Sequence, residues 1–212
     1  MDDVPRRIEH TVLGPTTTWV DVESVLDDAI AYGMRACVPP CYLAEAVEYA
    51  PSVEICTVIG FPHGQHTTEA KCEEATQAWK DGAAEIDLVP NLGNAVAGEM
   101  ELFQSELAEV VAAVPIPVKV ILETSLFDDE QLPEICATAS ETDIDFLKTA
   151  TGFAAGGATV SDVELLAEYA PVKASGGIGS WAFAEELFDA GAERIGASSG
   201  DVIVTEFRER NE

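Results

Sequence analysis

Residues 145–148 and 172–174 read Asp-Phe-Leu-Lys and Val-Lys-Ala, two short apolar runs that each contain a lysine. Six further runs of similar length and character occur along the chain. In order, the eight runs span residues 8–13, 35–38, 55–59, 85–89, 118–122, 145–148, 172–174 and 194–196. Short apolar runs that are rich in β-branched residues predict buried strands.

The spacing of these runs decides the fold. Measured between their last residues, the steps are 25, 21, 30, 33, 26, 26 and 22 residues. A strand, a helix of about 10 to 15 residues and two loops fill a step of this size, so the pattern predicts βα repeats around a parallel sheet.

Amphipathic segments between the runs support this prediction. Residues 21–32, 68–81 and 99–113 place apolar side chains on one helical face. Ser161 begins Ser-Asp-Val-Glu, a capping-box pattern that predicts a further helix start. Glycines at 82 and 191 follow predicted helices and predict C-terminal stops before the next strand.

Eight βα units in about 210 residues predict an α/β protein with a small (β/α)8 barrel, the TIM-barrel class. An open, doubly wound sheet is the alternative. No linker, low-complexity segment or charge block divides the chain, so we expect residues 1–212 to form a single domain.

The composition is strongly acidic, with 39 Asp and Glu against 11 Lys and Arg and a formal net charge of -28. Nucleic acids and anionic membranes attract Lys and Arg, so neither is an expected partner. The chain is nonetheless 47% hydrophobic, which is enough for a packed core. Salt screens the repulsion between surface acids, so the composition predicts a protein adapted to high salt; an acidic protein from an ordinary cytoplasm is the alternative.

The sequence also predicts a compartment. Its first residues have no apolar segment of the kind found in signal peptides, and the longest apolar stretch, 110–122, is broken by Pro115, Pro117 and Lys119. The five cysteines are odd in number and include no Cys-x-x-Cys pair. We therefore expect free thiols and a cytoplasmic location.

Three ionisable residues stand near the ends of predicted strands: Asp87, Lys148 and Lys173. Barrel enzymes build their active sites at these ends. A second cation and burial both disfavour the ammonium form, so one lysine of such a pair can be a free amine that attacks a carbonyl group. Lys119 and Glu123 flank another strand. The alternative is that each lysine simply forms an ion pair with a neighbouring carboxylate.

Glycine-rich segments follow the last strands. Backbone amides and serine hydroxyls at helix starts bind phosphate in many barrels, so these segments predict a phosphorylated small substrate, with ordinary tight turns as the alternative. His63 and His66 invite a metal site, but a catalytic zinc normally needs three protein ligands and His10 is the remaining histidine. We predict no metal and no cofactor. Cys37 at a strand end is expected to pack in the core.

With these residues the chain resembles the deoxyribose-phosphate aldolases, which are class I aldolases on (β/α)8 barrels. Eight collinear segments carry the resemblance: IEHTVL (8–13), ACVPP (36–40), VIGFPHG (58–64), EIDLV (85–89), VKVILET (118–124), FLKTATGF (146–153), VKASGGI (172–178) and RIGASSG (194–200).

The resemblance implies reversible cleavage of 2-deoxy-D-ribose 5-phosphate to D-glyceraldehyde 3-phosphate and acetaldehyde, in deoxyribose catabolism and without a metal. It implies that Lys148 is the Schiff-base nucleophile, Lys173 the cation that keeps Lys148 partly neutral, and Asp87 the proton-relay acid and base. The implied phosphate-binding residues are Gly152, Gly176, Gly177, Gly196, Ser198 and Ser199. By the same analogy we expect a homo-oligomer.

Four positions depart from the family pattern. The family commonly has Asp at Glu9, Ser at Ala150 and Arg at Gly179, and some members have Lys at Phe153. Fewer side-chain cations would therefore face the phosphate. Two alternative functions remain: another phosphosugar lyase or isomerase on the same barrel, and a phosphosugar-binding protein without catalysis.

Overall fold

Eight parallel strands close into a barrel in the computed structural model, which describes residues 3–211. Their order around the barrel is their order in the chain, and β1 pairs with β8. The strands are β1 (Ile8–Thr11), β2 (Arg35–Cys37), β3 (Ile55–Ile59), β4 (Glu85–Leu88), β5 (Val118–Ile121), β6 (Phe146–Lys148), β7 (Val172–Ser175) and β8 (Ala192–Ala197). The predicted (β/α)8 barrel is confirmed, and the open sheet is wrong.

Helices surround the barrel and cover the outward side chains of the strands. They are α1 (Trp19–Tyr32), α2 (Leu43–Tyr49), α3 (Thr68–Lys80), α4 (Leu92–Val96), α5 (Met100–Ala112), α6 (Leu132–Ser140), α7 (Val160–Leu166), α8 (Trp181–Asp189) and α9 (Gly200–Asn211). One large apolar core lies between the two layers. None of the helices in residues 3–211 is long and apolar enough to cross a membrane.

Two helix starts differ from the predictions. α1 begins two residues before 21, because the Thr18 hydroxyl and amide both bond the Asp21 carboxylate at 2.7 and 2.8 Å. The capping box predicted at Ser161 is wrong, since Thr159 is the N-cap of α7 and its side chain accepts a hydrogen bond from the Asp162 amide. The predicted glycine stops are confirmed, because Gly82 and Gly191 have φ values of 96° and 112°.

Strand alternation directs charged side chains into the barrel. Glu85 and Asp87 lie two residues apart on β4, so both point to the interior, and Lys119 is the cross-strand partner of Asp87 on β5. Lys148 on β6 pairs in register with Lys173 on β7. These strands therefore bring a set of charges together at the axis of the barrel.

Candidate active site

Asp87, Lys148 and Lys173 meet inside the barrel as one contact group. The Nζ atoms of Lys148 and Lys173 lie 2.7 and 2.6 Å from the same oxygen, Oδ2 of Asp87. All three side chains are buried, with Lys148 the most accessible at 3%. Each lysine is therefore ion-paired, as the alternative interpretation expects, and the two share one carboxylate.

Lys119 also contacts the aspartate, as does the Cys56 thiol, whose Sγ lies 3.2 Å from Asp87 Oδ1. The Nζ of Lys119 lies 2.9 Å from Asp87 Oδ1 and 2.6 Å from Glu85 Oε2. Burial alone would raise the pKa of Asp87, but the positive charges of Lys119, Lys148 and Lys173 outweigh burial and hold that pKa well below its usual value. Asp87 is thus an ionised carboxylate at neutral pH.

Lys173 has two carboxylate partners, since its Nζ also bonds Glu9 Oε2. Burial lowers the pKa of Lys173, whereas the negative charges of Asp87 and Glu9 raise it, and the net effect is a pKa above the ordinary value. Lys173 therefore remains an ammonium ion beside Lys148. Glu9, where the family commonly has Asp, still reaches the lysine from β1.

The lysines differ in how many carboxylates they contact. Within residues 3–211, Lys148 contacts one, Lys173 contacts two and Lys119 contacts three. The network continues below them, where Arg194 bonds Glu85 and lies 3.5 Å from Glu9 Oε1. Five cations, Lys119, Lys148, Lys173, Arg35 and Arg194, therefore face three carboxylates, Glu9, Glu85 and Asp87.

A cavity of about 530 Å³ opens above Lys148 at the carboxyl ends of the strands. Its lining includes Lys148 and all six predicted phosphate-binding residues, Gly152, Gly176, Gly177, Gly196, Ser198 and Ser199. Asp87 and Lys173 are not among the lining residues and lie beneath the cavity floor. The predicted site is thus arranged in two layers, a charged layer below and a glycine-lined layer above.

Two of these glycines are needed for packing as well. A β-carbon on Gly196 would lie 2.9 Å from Cε of Lys173, so glycine at this position leaves room for the lysine stem. Gly176 has a φ of 99°, and a β-carbon there would lie 2.9 Å from the Cα of Gly157. The glycine-rich loops are therefore close approaches between neighbouring segments, and the tight-turn interpretation accounts for part of their sequence.

The rest of the cavity wall is weakly charged. Among the described residues that line it, Lys148 is the one cationic side chain, and Phe153 and Gly179 stand at its edge. The Phe153 ring packs edge-on against Phe61, with centroids 5.2 Å apart. An anion in this cavity would therefore be held by backbone amides, serine hydroxyls and the positive ends of helices such as α9.

Sequence reasoning did not assign roles to several residues around the site. Glu85 shares the inward face of β4 with Asp87, and the alternation of Glu-Ile-Asp could have revealed it. Burial raises the pKa of Glu85, but the positive charges of Lys119 and Arg194 lower this pKa by more, and the net value is about 2. Glu123, which was noted only as a strand flank, accepts hydrogen bonds from the amide and hydroxyl of Thr151 and so orients the loop after β6.

The histidines do not come together. His63 borders a second, smaller cavity, His66 Nδ1 lies 3.7 Å from Glu74, and His10 is a buried residue of β1. Cys37 is buried as predicted. Its sulfur lies within 4.8 Å of the Cys56 sulfur and of an Asp87 carboxylate oxygen. The Lys119 ammonium already contacts Cys56 Sγ at 3.4 Å and Asp87, so a metal would have to displace a cation there.

The fold and the site define a class: barrel proteins that keep a buried lysine and its acid partner at the carboxyl ends of parallel strands, beneath a glycine-lined cavity. The chain belongs to the DeoC/LacD family of aldolases, whose family model matches residues 8–204.

Similar proteins agree with this assignment. The chain is 56% identical to the deoxyribose-phosphate aldolase of Haloarcula marismortui over 98% of this chain and 90% of that protein. It is also 56% identical to the deoxyribose-phosphate aldolase of Natronomonas pharaonis, over 97% of this chain and 95% of that protein. The structure of the tetrameric deoxyribose phosphate aldolase of Aeropyrum pernix superposes with a TM-score of 0.90 at 34% identity, covering 98% of this chain and 92% of that one.

Proposed function

We propose that this chain is a class I deoxyribose-phosphate aldolase, which reversibly cleaves 2-deoxy-D-ribose 5-phosphate to D-glyceraldehyde 3-phosphate and acetaldehyde. One observation carries the proposal: the Lys148 amine reaches the floor of a glycine-lined cavity while it contacts the buried Asp87 carboxylate. Membership of an aldolase family and close similarity to named deoxyribose-phosphate aldolases support the choice of substrate.

Lys148 is the nucleophile in this scheme. The network holds more cations than carboxylates, and Lys148 has the fewest carboxylate contacts, so a free amine is least costly there. The amine adds to C1 of the open-chain sugar to give a carbinolamine, which loses water to form an iminium ion.

Asp87 moves the protons. It takes a proton from the nitrogen during addition and returns one to the departing hydroxide, directly or through a water molecule. Asp87 then accepts the proton of the C3 hydroxyl through a water molecule, and as the C3 carbonyl forms the C2–C3 bond breaks. The electron pair enters the iminium ion to give an enamine, and D-glyceraldehyde 3-phosphate leaves. Protonation of the enamine at C2 and hydrolysis release acetaldehyde and regenerate the amine.

Lys173 supplies a fixed positive charge. As an ammonium ion held by Asp87 and Glu9, it disfavours a second positive charge on Lys148 and keeps Asp87 ionised and in place. The phosphate would rest on Gly152, Gly176, Gly177, Gly196, Ser198 and Ser199, with backbone amides as the main donors.

We further propose that residues 1–212 act as one aldolase domain, which works in a salt-rich cytoplasm as a homo-oligomer. The continuous order of strands around one barrel supports the single domain. The tetrameric aldolase from Aeropyrum pernix supports an oligomer.

A coupled assay tests the function. Incubation with 2-deoxyribose 5-phosphate in molar KCl should release acetaldehyde, which alcohol dehydrogenase converts with oxidation of NADH. Lys148→Ala should abolish the signal, whereas Lys80→Ala, at an exposed position on α3, should leave it unchanged. Isomerisation without acetaldehyde release would indicate a different phosphosugar enzyme, and binding without turnover would indicate a non-catalytic protein.

A further inference from the structure

We propose that His10 is a positioning residue for the phosphate end of the substrate, because it fixes the first turn of α9 from behind the barrel wall. The inference rests on the proposed function, in which the β8–α9 loop binds phosphate. The neighbours of His10 are the Gly200 amide and the Asp28 carboxylate, and neither of the other two histidines is among them.

β1 presents two adjacent side chains to opposite sides of the barrel wall. Glu9 points inward and bonds Lys173, whereas His10 points outward and is 3% exposed. His10 Nδ1 accepts a hydrogen bond of 3.2 Å from the backbone amide of Gly200, and Nε2 lies 3.5 Å from Oδ2 of Asp28 on α1. An accepting Nδ1 requires the proton on Nε2, and Asp28 is placed to favour that tautomer.

Gly200 is the first residue of α9, directly after the loop that carries Ser198 and Ser199. The contact with His10 leaves no room for a side chain, since a β-carbon on Gly200 would lie 2.9 Å from Nδ1 and 3.1 Å from Cγ2 of Ile8. The Gly200 amide is one of the four helix-start donors that have no partner within the helix. His10 uses this donor on the side away from the cavity.

The consequence is a fixed orientation for the residues just before Gly200. Ser198 and Ser199 line the cavity, and the Ile203 amide bonds the Ser199 carbonyl to start the helix. Without the bond from β1, the first turn of α9 can rotate or fray, and the two serines lose their placement against an anion. Lys148, Lys173 and Asp87 lie on other strands and do not contact His10, so their chemistry should be retained.

The test separates phosphate binding from chemistry at Lys148. In His10→Leu, the KM for 2-deoxyribose 5-phosphate and the Ki of inorganic phosphate should rise about five- to tenfold, the effect of one lost hydrogen bond. The kcat value and the reductive trapping of acetaldehyde, which has no phosphate, should remain within about twofold of wild type. His10→Asn keeps an acceptor at the Nδ1 position and should restore most of the phosphate affinity. His66→Leu, at an exposed histidine outside the site, is the matched control.

Equal losses in KM, kcat and acetaldehyde trapping would overturn the inference, as would equal behaviour of the Asn and Leu variants. If His10→Leu does not fold, Gly200→Ala tests the same contact and should produce the same selective rise in KM and Ki. Failure of the proposed function would be separately visible as a wild-type protein without turnover. In that case, calorimetry should still show weaker binding of inorganic phosphate to His10→Leu than to the wild type, and equal affinities would overturn the inference.

Discussion

Asp87 is the residue on which the charged layer depends, because one carboxylate contacts three lysines. Removal of one partner from a buried ion pair leaves an uncompensated charge, which is costly. A lysine in this layer therefore affects both the protonation of its neighbours and the stability of the barrel.

Lys173→Leu should lower kcat/KM by about one to two orders of magnitude and move the acid limb of the pH–rate profile to higher pH. The reason is that loss of the neighbouring ammonium ion removes the repulsion that disfavours a proton on Lys148. Steady-state kinetics across pH measure this directly. A variant with reduced activity but an unchanged profile would show that Lys173 is only structural.

Glu85 links folding stability to acid pH. Its pKa is about 2 in the folded protein and about 4.3 in an unfolded chain, so the unfolded state binds more protons between these values. The stabilisation by ionised Glu85 is complete above about pH 5 and is lost as pH falls toward 2, amounting to about 3 kcal/mol.

Glu85→Gln should therefore have a shallower fall in the free energy of unfolding between pH 5 and pH 3 than the wild type. Denaturant titrations at several pH values in constant salt measure the slope. Glu101→Gln, at an exposed position on α5, is the control. Parallel slopes for wild type and Glu85→Gln would contradict the assigned role of the Lys119 and Arg194 contacts.

At the scale of elements, the strands were predictable to within two residues because apolar β-branched runs with regular spacing are a strong local signal. The end of β1 was less predictable from the sequence. Val12 and Leu13 continue its apolar pattern, yet they leave the ladder after Thr11 and line the cavity. β8 was predicted too short, because Glu193 is exposed and interrupts the apolar pattern.

The start of α7 offers a direct test at this scale. Thr159→Ala should reduce the free energy of unfolding by about 1 kcal/mol, because the α7 amide at Asp162 loses its cap. Ser161→Ala, the position that the sequence pattern favoured, should change it by less than about 0.5 kcal/mol. Thermal unfolding of both variants makes the comparison, and a larger effect at Ser161 would restore the capping box as first predicted.

Across the whole molecule, the site residues that could be predicted are those that break the apolar pattern of a buried strand. Asp87, Lys148 and Lys173 could be found because charges interrupt apolar strands. The contact of His10 with Gly200 joins residues 190 positions apart and leaves no local pattern. The buried ion pair between Lys71 on α3 and Glu106 on α5 could not be predicted for the same reason, because charged residues are common on amphipathic helices.

The lysine count also takes on a structural meaning at this scale. Of the five lysines, all within the described residues, Lys71, Lys119, Lys148 and Lys173 are buried, and Lys80 is exposed. Five carboxylates, those of Glu9, Glu85, Asp87, Glu106 and Glu123, are buried with these lysines, so the exposed surface carries nearly the whole net charge of -28.

The melting temperature should accordingly rise as KCl is increased from about 0.1 M to 2 M, because the screening length falls from about 10 Å to below 3 Å. Neutral osmolytes at matched water activity are the control for excluded-volume effects. A melting temperature that does not change with salt would support an acidic protein that is not adapted to salt.

The covalent role of Lys148 is the central claim, and borohydride trapping tests it most directly. Wild-type protein incubated with 2-deoxyribose 5-phosphate and then reduced should carry a substrate-derived adduct on the peptide that contains Lys148, and Lys148→Ala should carry none. An unmodified Lys148 in an active wild-type protein, or labelling of Lys173 in its place, would contradict the account.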